Sequence, residues 1–366
     1  MPSDANSNRA RLRQVHRAAA ELRRGVPVVL GGETPLLVLA AETAGADALA
    51  EFEAIAGARP ILILAPARAA AILRSPMPAD TGAVAVALPD ALYRIEVYGA
   101  LADPTAKQPT GGVLQAVAAP AFADAGIALA KIGRLLPALL AAPITGDGAA
   151  GAGLIEVPVA DIVGYAESEV VGLRQIVSAD VPLSGAPDSR VVAFRSDGSS
   201  IEHLAIVVGR PETHDAPLVR IHSECFTGDL LGSMRCDCGE QLRGAIRRMA
   251  DDGAGILLYL AQEGRGIGLV NKLRAYGLQD RGLDTMDANR VLGWGADERN
   301  FLIGATMLRL MGIKRVRLLT NNPDKLEAMT ACGIEVAGRE PHLFAPNGVN
   351  DEYLATKAAR FGHMLD

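Results

Sequence analysis

Short apolar runs and helical stripes alternate along the first half of the chain, and this pattern predicts strands and helices in alternation. Residues 26–30, 36–41 and 60–65 form apolar runs of the length typical of buried strands. Over residues 11–24 the apolar positions recur at helical spacing, and Gly25 follows as a typical helix end. This half is therefore predicted to form an α/β domain.

The second half of the chain predicts a mixed sheet. Strands are indicated at residues 190–195, 202–209, 218–221, 255–260 and 314–319. The run 255–260 is apolar throughout, which is typical of a central strand that is buried on both faces. Helical patterns lie between several of these runs, so we expect a mixed α/β domain.

Four segments follow from these patterns. A polar, disordered tail is predicted at residues 1–9, and an α/β domain at residues 10–167. A connector with two prolines over residues 168–189 leads to the mixed-sheet domain over residues 190–366. We therefore expect an α/β (α+β mixed) protein of two domains.

The composition excludes several classes of protein. Of the 366 residues, 49% are hydrophobic, which supplies a sizeable core, and the net charge is −6. Such a chain does not favour nucleic acid as a partner, and an anionic ligand would need a local pocket of arginines. No signal-peptide pattern and no run apolar enough to cross a bilayer is found. The sequence predicts a soluble, cytoplasmic protein without a membrane partner.

Three of the four cysteines occur in one stretch with the spacing Cys-x10-Cys-x-Cys. Cys225 follows a predicted strand, and a predicted helix begins near Cys238, so these two thiols and that of Cys236 are expected to meet. Zinc suits such thiolates, and three protein ligands leave a position for a water whose pKa falls towards about 7. The alternatives are a structural zinc completed by His222, or buried thiols without a metal. Clustered thiols fit a reducing cytosol better than a disulfide framework.

Two turns in the second half have the composition of anion sites. Gly264 and Arg265 follow the strand predicted at residues 255–260, where glycines let backbone N–H groups approach a phosphate and the arginine adds a charge. Thr320 and Lys325 flank a predicted helix N-terminus. The simpler interpretations are a tight loop and an ordinary capped helix with a solvent-facing lysine.

A specific family resemblance covers residues 190–366. The segment around the three cysteines resembles the zinc segment of GTP cyclohydrolase II, and further motifs continue the resemblance in order. The matching segments are Arg220–Asp229, Ser233–Gln241, Gln262–Leu269, Asn271–Asp280, Asp284–Thr285, Asp297–Arg299, Leu319–Lys325 and Thr356–His363.

The resemblance implies a zinc-dependent enzyme that hydrolyses GTP to formate, pyrophosphate and a diaminopyrimidinone ribosylamine phosphate, as the first step of riboflavin biosynthesis. It implies one zinc ion per chain at Cys225, Cys236 and Cys238, Mg²⁺ with the GTP phosphates, and a homodimer. A paralogue in pyrimidine catabolism and a silent GTP-binding regulator are the alternatives. The intact positions for catalysis argue against the regulator.

The resemblance also assigns roles to individual residues. It implies that Tyr276 lies near the purine, that Asp297 accepts a proton, and that Arg299 attacks the α-phosphate. Because the pKa of arginine exceeds about 12, a charge clamp explains Arg299 equally well. GTP binding is implied for a larger set, namely Arg220, Ile221, His222, Ser223, Glu224, Gln241, Glu263, Gly264, Arg265, Thr285, Thr320 and Lys325.

The first half resembles the opening of 3,4-dihydroxy-2-butanone 4-phosphate synthase. The matching residues are 15–30 and 37–42, and residues 31–35 replace the acidic catalytic loop of that family. No histidine occurs between His16 and His203, although the synthase reaction needs a metal site and a proton shuttle. We expect a degenerate, non-catalytic domain that serves as a scaffold; a bifunctional enzyme is the alternative.

Overall fold

The computed structural model divides the chain into two compact units. The first comprises Met1–Ser168 and Val270–Glu298, and the second comprises Glu169–Leu269 and Arg299–Asp366. Each unit is built on a seven-stranded sheet with helices, which confirms the predicted α/β class. The structure describes residues 2–78, 80–110, 112–144, 153–295, 297–362 and 364.

The sheet of the first unit is mostly antiparallel. Its strands are β1 (Val28–Gly31), β2 (Leu36–Ala40), β3 (Ile61–Leu64), β4 (Val84–Ala87), β5 (Gln115–Val117), β6 (Ala138–Pro143) and β7 (Glu156–Pro158). They are ordered β5-β4-β3-β6-β2-β1-β7, and β1 pairs with β7 in parallel. All five residues of β2 are buried, so both faces of the sheet are covered at its centre.

Helices cover this sheet. Pro2–Arg23 and Ala123–Ile132 pack on it through a core that includes Leu22 and Leu139. The first helix contains residues 2–9, where a disordered tail is predicted; Nδ2 of its buried Asn8 donates to the Ser168 carbonyl oxygen at 2.9 Å. The further helices are Ala46–Ala56, Pro66–Leu73, Ile95–Ala102, Val159–Val163, Tyr165–Val171, Leu269–Gln279 and Thr285–Val291, with a 3₁₀ turn at Asp90–Leu92.

The sheet of the second unit has a parallel half and an antiparallel half. Its strands are β8 (Leu173–Asp180), β9 (Ser189–Ser196), β10 (Glu202–Gly209), β11 (Leu218–Ser223), β12 (Ala254–Leu260), β13 (Arg315–Leu319) and β14 (Glu335–Glu340). They are ordered β14-β13-β11-β12-β10-β9-β8. The neighbours from β14 to β12 are parallel, and those from β12 to β8 are antiparallel.

Two cores lie on opposite faces of this sheet, because alternate residues of β12 enter them. Leu258 packs with Leu308 of the helix Phe301–Leu310, and Leu257 packs with Met249 of the helix Cys238–Asp251. No described helix of either unit is long and apolar enough to cross a membrane. The remaining helical elements are Pro323–Ala331, Asp351–Phe361, the π-helix Phe226–Leu230, and 3₁₀ turns at Pro211–Thr213 and Glu263–Gly266.

The two units follow different bounds from the predicted domains. Residues 270–298 belong to the first unit, although the sequence places them inside the domain 190–366. The predicted connector 168–189 contains β8, which is the edge strand of the second sheet. Both differences arise from long-range packing, which local patterns do not specify.

Candidate active site

The parallel strands of the second unit end at one edge of their sheet, and predicted site residues follow these ends. Ser223 is the last residue of β11, and Cys225 lies two residues further along the chain. Glu263 lies three residues after the end of β12, and Thr320 directly follows β13. Ligands of α/β proteins bind beyond the carboxyl ends of parallel strands. The cysteine loop and both predicted anion turns therefore start from the same sheet edge.

Three cysteine thiols converge beyond the end of β11. Cys225 follows this strand, and Cys236 and Cys238 stand at the start of the helix Cys238–Asp251. Their sulfur atoms all lie within 4.8 Å of one another, and Sγ of Cys225 is 3.8 Å from Sγ of Cys236. The structure thus brings together the three thiols that the spacing selects.

The arrangement of the thiols fits a zinc ion. Zinc–sulfur bonds of about 2.3 Å in a tetrahedron separate two sulfurs by about 3.8 Å, which is the distance between Cys225 and Cys236. Hydrogen bonding to the Cys225 thiol raises the pKa of Cys236 to about 11, and it raises the pKa of Cys238 as well. Three thiolates this close repel one another, so their ionisation needs a cation. Among the described histidine, cysteine, aspartate and glutamate residues, these three cysteines are the group whose ligand atoms lie close enough together to share a metal ion.

Gly228 lies against all three cysteines. A Cβ atom at this position would lie 2.8 Å from Sγ of Cys236, 2.9 Å from Cβ of Cys238 and 3.0 Å from Sγ of Cys225. Real Cβ atoms rarely approach other atoms this closely. The absence of a side chain at Gly228 therefore allows the three thiols to lie this close together, with space for an ion between them.

Replacing Gly228 by alanine is expected to weaken zinc binding, because the added methyl group displaces a thiol. Changes to groups that support metal ligands lower affinity by about 10- to 100-fold, and we expect a loss in this range in a chelator competition assay. Gly338→Ala is the matched control, since a Cβ atom there meets nothing within 4 Å. Equal zinc affinity in the two variants would contradict the described convergence.

Asp229 organises the loop behind the first cysteine. Its carboxylate oxygens lie 3.1 Å from Nε2 of His222, and Oδ2 accepts hydrogen bonds from the Cys225 N–H and the Tyr259 hydroxyl, each at 3.0 Å. Burial lowers the pKa of His222, so the neutral ring donates its Nε2–H to the carboxylate. Nε2 of His222 is thereby engaged by Asp229, and His222 is not part of the group of described residues close enough to share a metal ion.

Arg220 connects the cysteine loop to β13. Its buried guanidinium donates to Oε1 of Gln241 and, at 3.2 Å, to the Leu319 carbonyl oxygen. The Gln241 amide in turn donates to Oδ2 of Asp237, which stands between two of the cysteines. Burial lowers the pKa of Arg220 to about 10, so the group stays charged at neutral pH. Arg220 and Gln241, both predicted to contact the substrate, thus hold the cysteine loop in place through Asp237.

His342 supports the same network from the other side. Its Nε2–H donates to the Gln241 carbonyl oxygen at 2.8 Å, and its backbone pairs with the Asn321 side chain. Burial lowers the pKa of His342 to about 4, so the ring is neutral. The segment after β14 therefore ties the helix behind the cysteines to the end of β13.

The turn after β12 has an uncommon backbone. Gly264 and Arg265 have φ angles of 64° and 63°, and Gly266 and Gly268 have φ angles of 98° and 86°. A residue with a side chain rarely adopts positive φ, and such outliers cluster at functional sites. Backbone hydrogen bonds close the turn around Arg265, from the Gly266 N–H to the Gln262 carbonyl oxygen at 3.1 Å and from the Gly268 N–H to the Glu263 carbonyl oxygen at 2.9 Å.

Glu263 joins this turn to the cysteine loop. Its side chain is buried; Oε2 accepts the Phe226 N–H at 2.6 Å, and Oε1 accepts the Gly264 N–H at 3.0 Å. Phe226 directly follows Cys225 in the chain. The carboxylate predicted to contact the substrate is thus also a support of the first cysteine.

The predicted helix N-terminus after β13 is present. Pro323–Ala331 is helical, and the side chain of Asn322 caps it. Thr320 is buried, and Nζ of the largely buried Lys325 donates to the Ile221 carbonyl oxygen at 2.8 Å. The simpler interpretation of Lys325 as a solvent-facing side chain is therefore wrong.

Ser223 and Glu224 complete the end of β11. The Glu224 N–H donates to the Leu260 carbonyl oxygen at 2.8 Å. Oγ of Ser223 is buried and has no hydrogen-bond partner among the described residues. A buried hydroxyl of this kind is a candidate for contact with a ligand.

Arg299 stands before the helix Phe301–Leu310. Its guanidinium lies 5.0 Å from the centre of the Phe301 ring. The neighbouring Asn300 caps the helix, and its carbonyl oxygen accepts a hydrogen bond from Nε2 of Gln262 at 3.1 Å. The residue after Arg299 is therefore tied to the turn that follows β12.

Three predicted site residues belong to the first unit. Tyr276 lies on the helix Leu269–Gln279 and Asp297 is exposed. Oγ1 of Thr285 accepts a hydrogen bond from Nε2 of Gln279 at 3.0 Å. All other predicted site residues belong to the second unit.

Sequence reasoning gave no role to three residues of this network. Asp229 and Asp237 lie inside the matching motifs, beside the cysteines, and their positions were an available signal. No pattern around His342 indicates its contact with Gln241. The motif residue His363 lies outside the described residues.

Comparisons of the sequence with known proteins identify one family. The family model of GTP cyclohydrolase II matches residues 174–341. The GTP cyclohydrolase-2 of Azospirillum brasilense is 48% identical, over 97% of this chain and 95% of the relative. That of Escherichia coli (strain K12 / DH10B) is 48% identical, over 53% of this chain and 98% of the relative. A solved two-domain 3,4-dihydroxy-2-butanone 4-phosphate synthase from A. baumannii is 20% identical, with a TM-score of 0.34 and coverage of 89% of this chain and 98% of that chain.

The candidate site lies in the part of the chain that resembles GTP cyclohydrolase II. The three thiols and both predicted anion turns lie within the residues that the family model matches. The relative from A. brasilense extends the similarity to nearly the whole chain. The chain therefore belongs to the GTP cyclohydrolase II family, whose substrate is GTP.

Proposed function

We propose that this enzyme uses zinc to hydrolyse GTP to formate, pyrophosphate and a diaminopyrimidinone ribosylamine phosphate, as the first step of riboflavin biosynthesis. The observation that carries the proposal is the meeting of three thiols with two anion turns at one sheet edge. Hydrolysis of a purine ring that bears a triphosphate needs both kinds of group. A paralogue in pyrimidine catabolism is the alternative.

The cysteine loop is proposed to serve the opening of the purine ring. Its thiolates would hold zinc, which supplies a polarised water for attack on carbon 8 of guanine. Asp229 accepts the N–H of Cys225, and Glu263 accepts the N–H of Phe226. These two carboxylates hold the backbone at the first thiol in place. We further propose that Tyr276 positions the opened ring for release of formate.

Cationic and hydroxyl groups at the same sheet edge are proposed to bind the phosphates. Lys325 and Arg265 carry positive charge, and Thr320 provides a hydroxyl at the helix N-terminus. Charge-assisted hydrogen bonds are about twice as strong as neutral ones. Mg²⁺ would accompany the bound triphosphate and offset part of its negative charge, because hard oxygen ligands suit this ion.

The remaining predicted contacts are proposed to act in two ways. Arg220, His222 and Gln241 bind other protein groups, so we propose that they serve substrate binding by holding the loop. The buried hydroxyl of Ser223 is proposed to contact the ligand directly. Direct contacts are also proposed for Ile221, Glu224, Glu263, Gly264 and Thr285.

Asp297 and Arg299 are proposed to serve the release of pyrophosphate. Asp297 is exposed and Arg299 is half-buried, so solvent reaches both side chains. Arg299 either stabilises charge on the α-phosphate or attacks it, with Asp297 as proton acceptor. In both cases the step needs the Arg299 guanidinium, and attack by Arg299 also needs Asp297 as the proton acceptor.

Incubation of the enzyme with GTP, zinc and Mg²⁺ is expected to give formate and pyrophosphate in equal amounts with the diaminopyrimidinone product. Ribulose 5-phosphate is the control substrate and is expected to stay unchanged. The first unit has Gly32 at the place of an acidic loop, and a Cβ atom there would lie 2.4 Å from the Phe122 ring. Pyrophosphate without formate would contradict ring opening, and dihydroxybutanone phosphate would reveal an active synthase.

We further propose that the enzyme is a cytoplasmic homodimer. All four cysteines are thiols, which fits a reducing compartment. The edge strand β8 exposes seven of its eight residues, including Ile176 and Val177. Exposed apolar edge strands are usually covered, and a second copy of the chain is the proposed partner. A monomeric mass in light scattering would contradict the dimer.

A further inference from the structure

The segment 270–298 lies between the turn after β12 and Arg299 in the chain, yet it packs within the first unit. It carries Tyr276 and Asp297, which are proposed to act in the reaction. Side chains from residues 1–168 bind it near both ends. These contacts link the first half of the chain to the position of the segment.

Arg274 is held near the start of the segment. Its guanidinium pairs with Glu42 at 3.0 Å and with Asp103 at 2.9 Å. The three side chains are only 16–20% exposed. The buried Asn271 accepts from Arg274 at 2.9 Å and donates to the Arg134 carbonyl oxygen at 3.1 Å. Arg274 and Tyr276 are two residues apart on the same helix, so these contacts restrain the tyrosine.

Glu298 is held at the end of the segment. Its Oε1 lies 2.5 Å from Nζ of Lys131, and the same oxygen accepts the Gly295 N–H at 2.7 Å. Lys131 also lies 5.4 Å from the centre of the buried Trp294 ring. Glu298 is the neighbour of Asp297 in the chain, so Lys131 restrains the backbone at the carboxylate.

The partial burial of these ion pairs separates them from ordinary surface pairs. Exposed pairs contribute little, whereas removal of one partner from a buried pair leaves an uncompensated charge. Lys131 and Glu298 are 26% and 27% exposed. Neither belongs to the apolar core of the first unit. Loss of the pair should therefore loosen the segment and leave the unit folded.

We propose that Lys131, Glu42 and Asp103, all from the first half of the chain, are positioning residues for the GTP cyclohydrolase reaction. They hold the segment 270–298 through Glu298 and Arg274. The proposal rests on the proposed roles of Tyr276 and Asp297, and it gives the scaffold half of the chain a specific task. Displacing a reacting group by about 1 Å lowers a rate by about 100-fold, so modest loosening has a measurable effect.

Lys131→Met in the full-length enzyme is expected to lower kcat for pyrophosphate release by about 10- to 100-fold. The KM for GTP and the zinc content are expected to stay close to those of the unaltered enzyme. The unfolding midpoint is expected to fall only slightly, because both side chains keep about a quarter of their surface exposed and lie outside the apolar core. Lys131→Arg, which keeps the pair, should restore kcat, and the exchange Lys131→Glu with Glu298→Lys should restore part of it. Asp103→Asn tests the contact of Asp103 with Arg274. There the fall in kcat is expected in formate release, because Tyr276 is proposed to act in that step. Arg59→Met is the control, because the pair of Arg59 with Asp90 in the same unit is exposed.

Different outcomes separate this proposal from the one on which it rests. Unchanged kcat in Lys131→Met and Asp103→Asn, with Asp297→Asn inactive, would overturn the positioning role alone. A fall in kcat that follows a fall in unfolding midpoint, without rescue by Lys131→Arg, would overturn it too. Full activity in Asp297→Asn would refute the role proposed for Asp297, and with it the positioning of Asp297 by Lys131, whatever the kcat of Lys131→Met.

Discussion

Cys236→Ser is expected to lose both zinc and formate release from GTP. Serine keeps the size of the side chain, but its hydroxyl does not ionise at neutral pH, so the site loses one of three thiolates. Altering groups that merely support metal ligands lowers affinity or activity by about 10- to 100-fold. Loss of the Cys236 ligand itself should lower zinc affinity and formate release by more than about 100-fold.

Zinc content and formate release should be measured on the same preparations. The unaltered enzyme is expected to hold one zinc per chain. Cys332→Ser is the matched control, since the fourth cysteine lies outside the group that could share an ion. We expect it to keep zinc and activity. Full activity in unaltered enzyme that contains no zinc would refute the metal assignment.

Arg299→Ala is expected to release no pyrophosphate, whereas Cys238→Ser is expected to release pyrophosphate without formate. The two variants differ because zinc is proposed to serve the purine ring and the guanidinium the α-phosphate. Arginines that stabilise charge in phosphoryl transfer contribute about 10³- to 10⁵-fold in rate. The loss in Arg299→Ala should fall in this range.

Arg309→Ala is the control for this experiment, since Arg309 is an exposed arginine on the helix that follows Arg299. It should keep both activities. Equal loss of pyrophosphate release in Arg299→Ala and Cys238→Ser would remove the case for two centres. Mass spectrometry of Cys238→Ser with GTP separates the two roles of Arg299, because a nucleophile predicts a covalent nucleotide adduct and a charge clamp predicts none.

Part of the site could be predicted because local patterns determine it. Cys225 follows a strand and Cys238 begins a helix, so the spacing alone indicated that their thiols meet. The helix N-terminus at Pro323 followed from proline chemistry in the same way. In both cases the deciding residues are neighbours in the chain.

Other parts depend on contacts between distant residues. The contact of Lys325 with the Ile221 carbonyl oxygen, and that of His342 with Gln241, arise only when strands far apart in sequence pair. The packing of residues 270–298 in the first unit is of the same kind. Apolar periodicity shows that such a helix buries one face, but it does not show against which partner.

Residues 270–298 belong to the first unit although they follow residues 169–269 of the second unit in the chain, and this order has a consequence for synthesis of the protein. Domains generally fold in order as they leave the ribosome, the N-terminal one first. Here the first unit lacks one of its segments until residue 298 has emerged, after residues 169–269 have been translated. During that interval Glu42, Asp103 and Lys131 cannot form their ion pairs, because Arg274 and Glu298 have not yet been translated. The nascent first unit is thus exposed to chaperones and proteases for longer than its place at the start of the chain suggests.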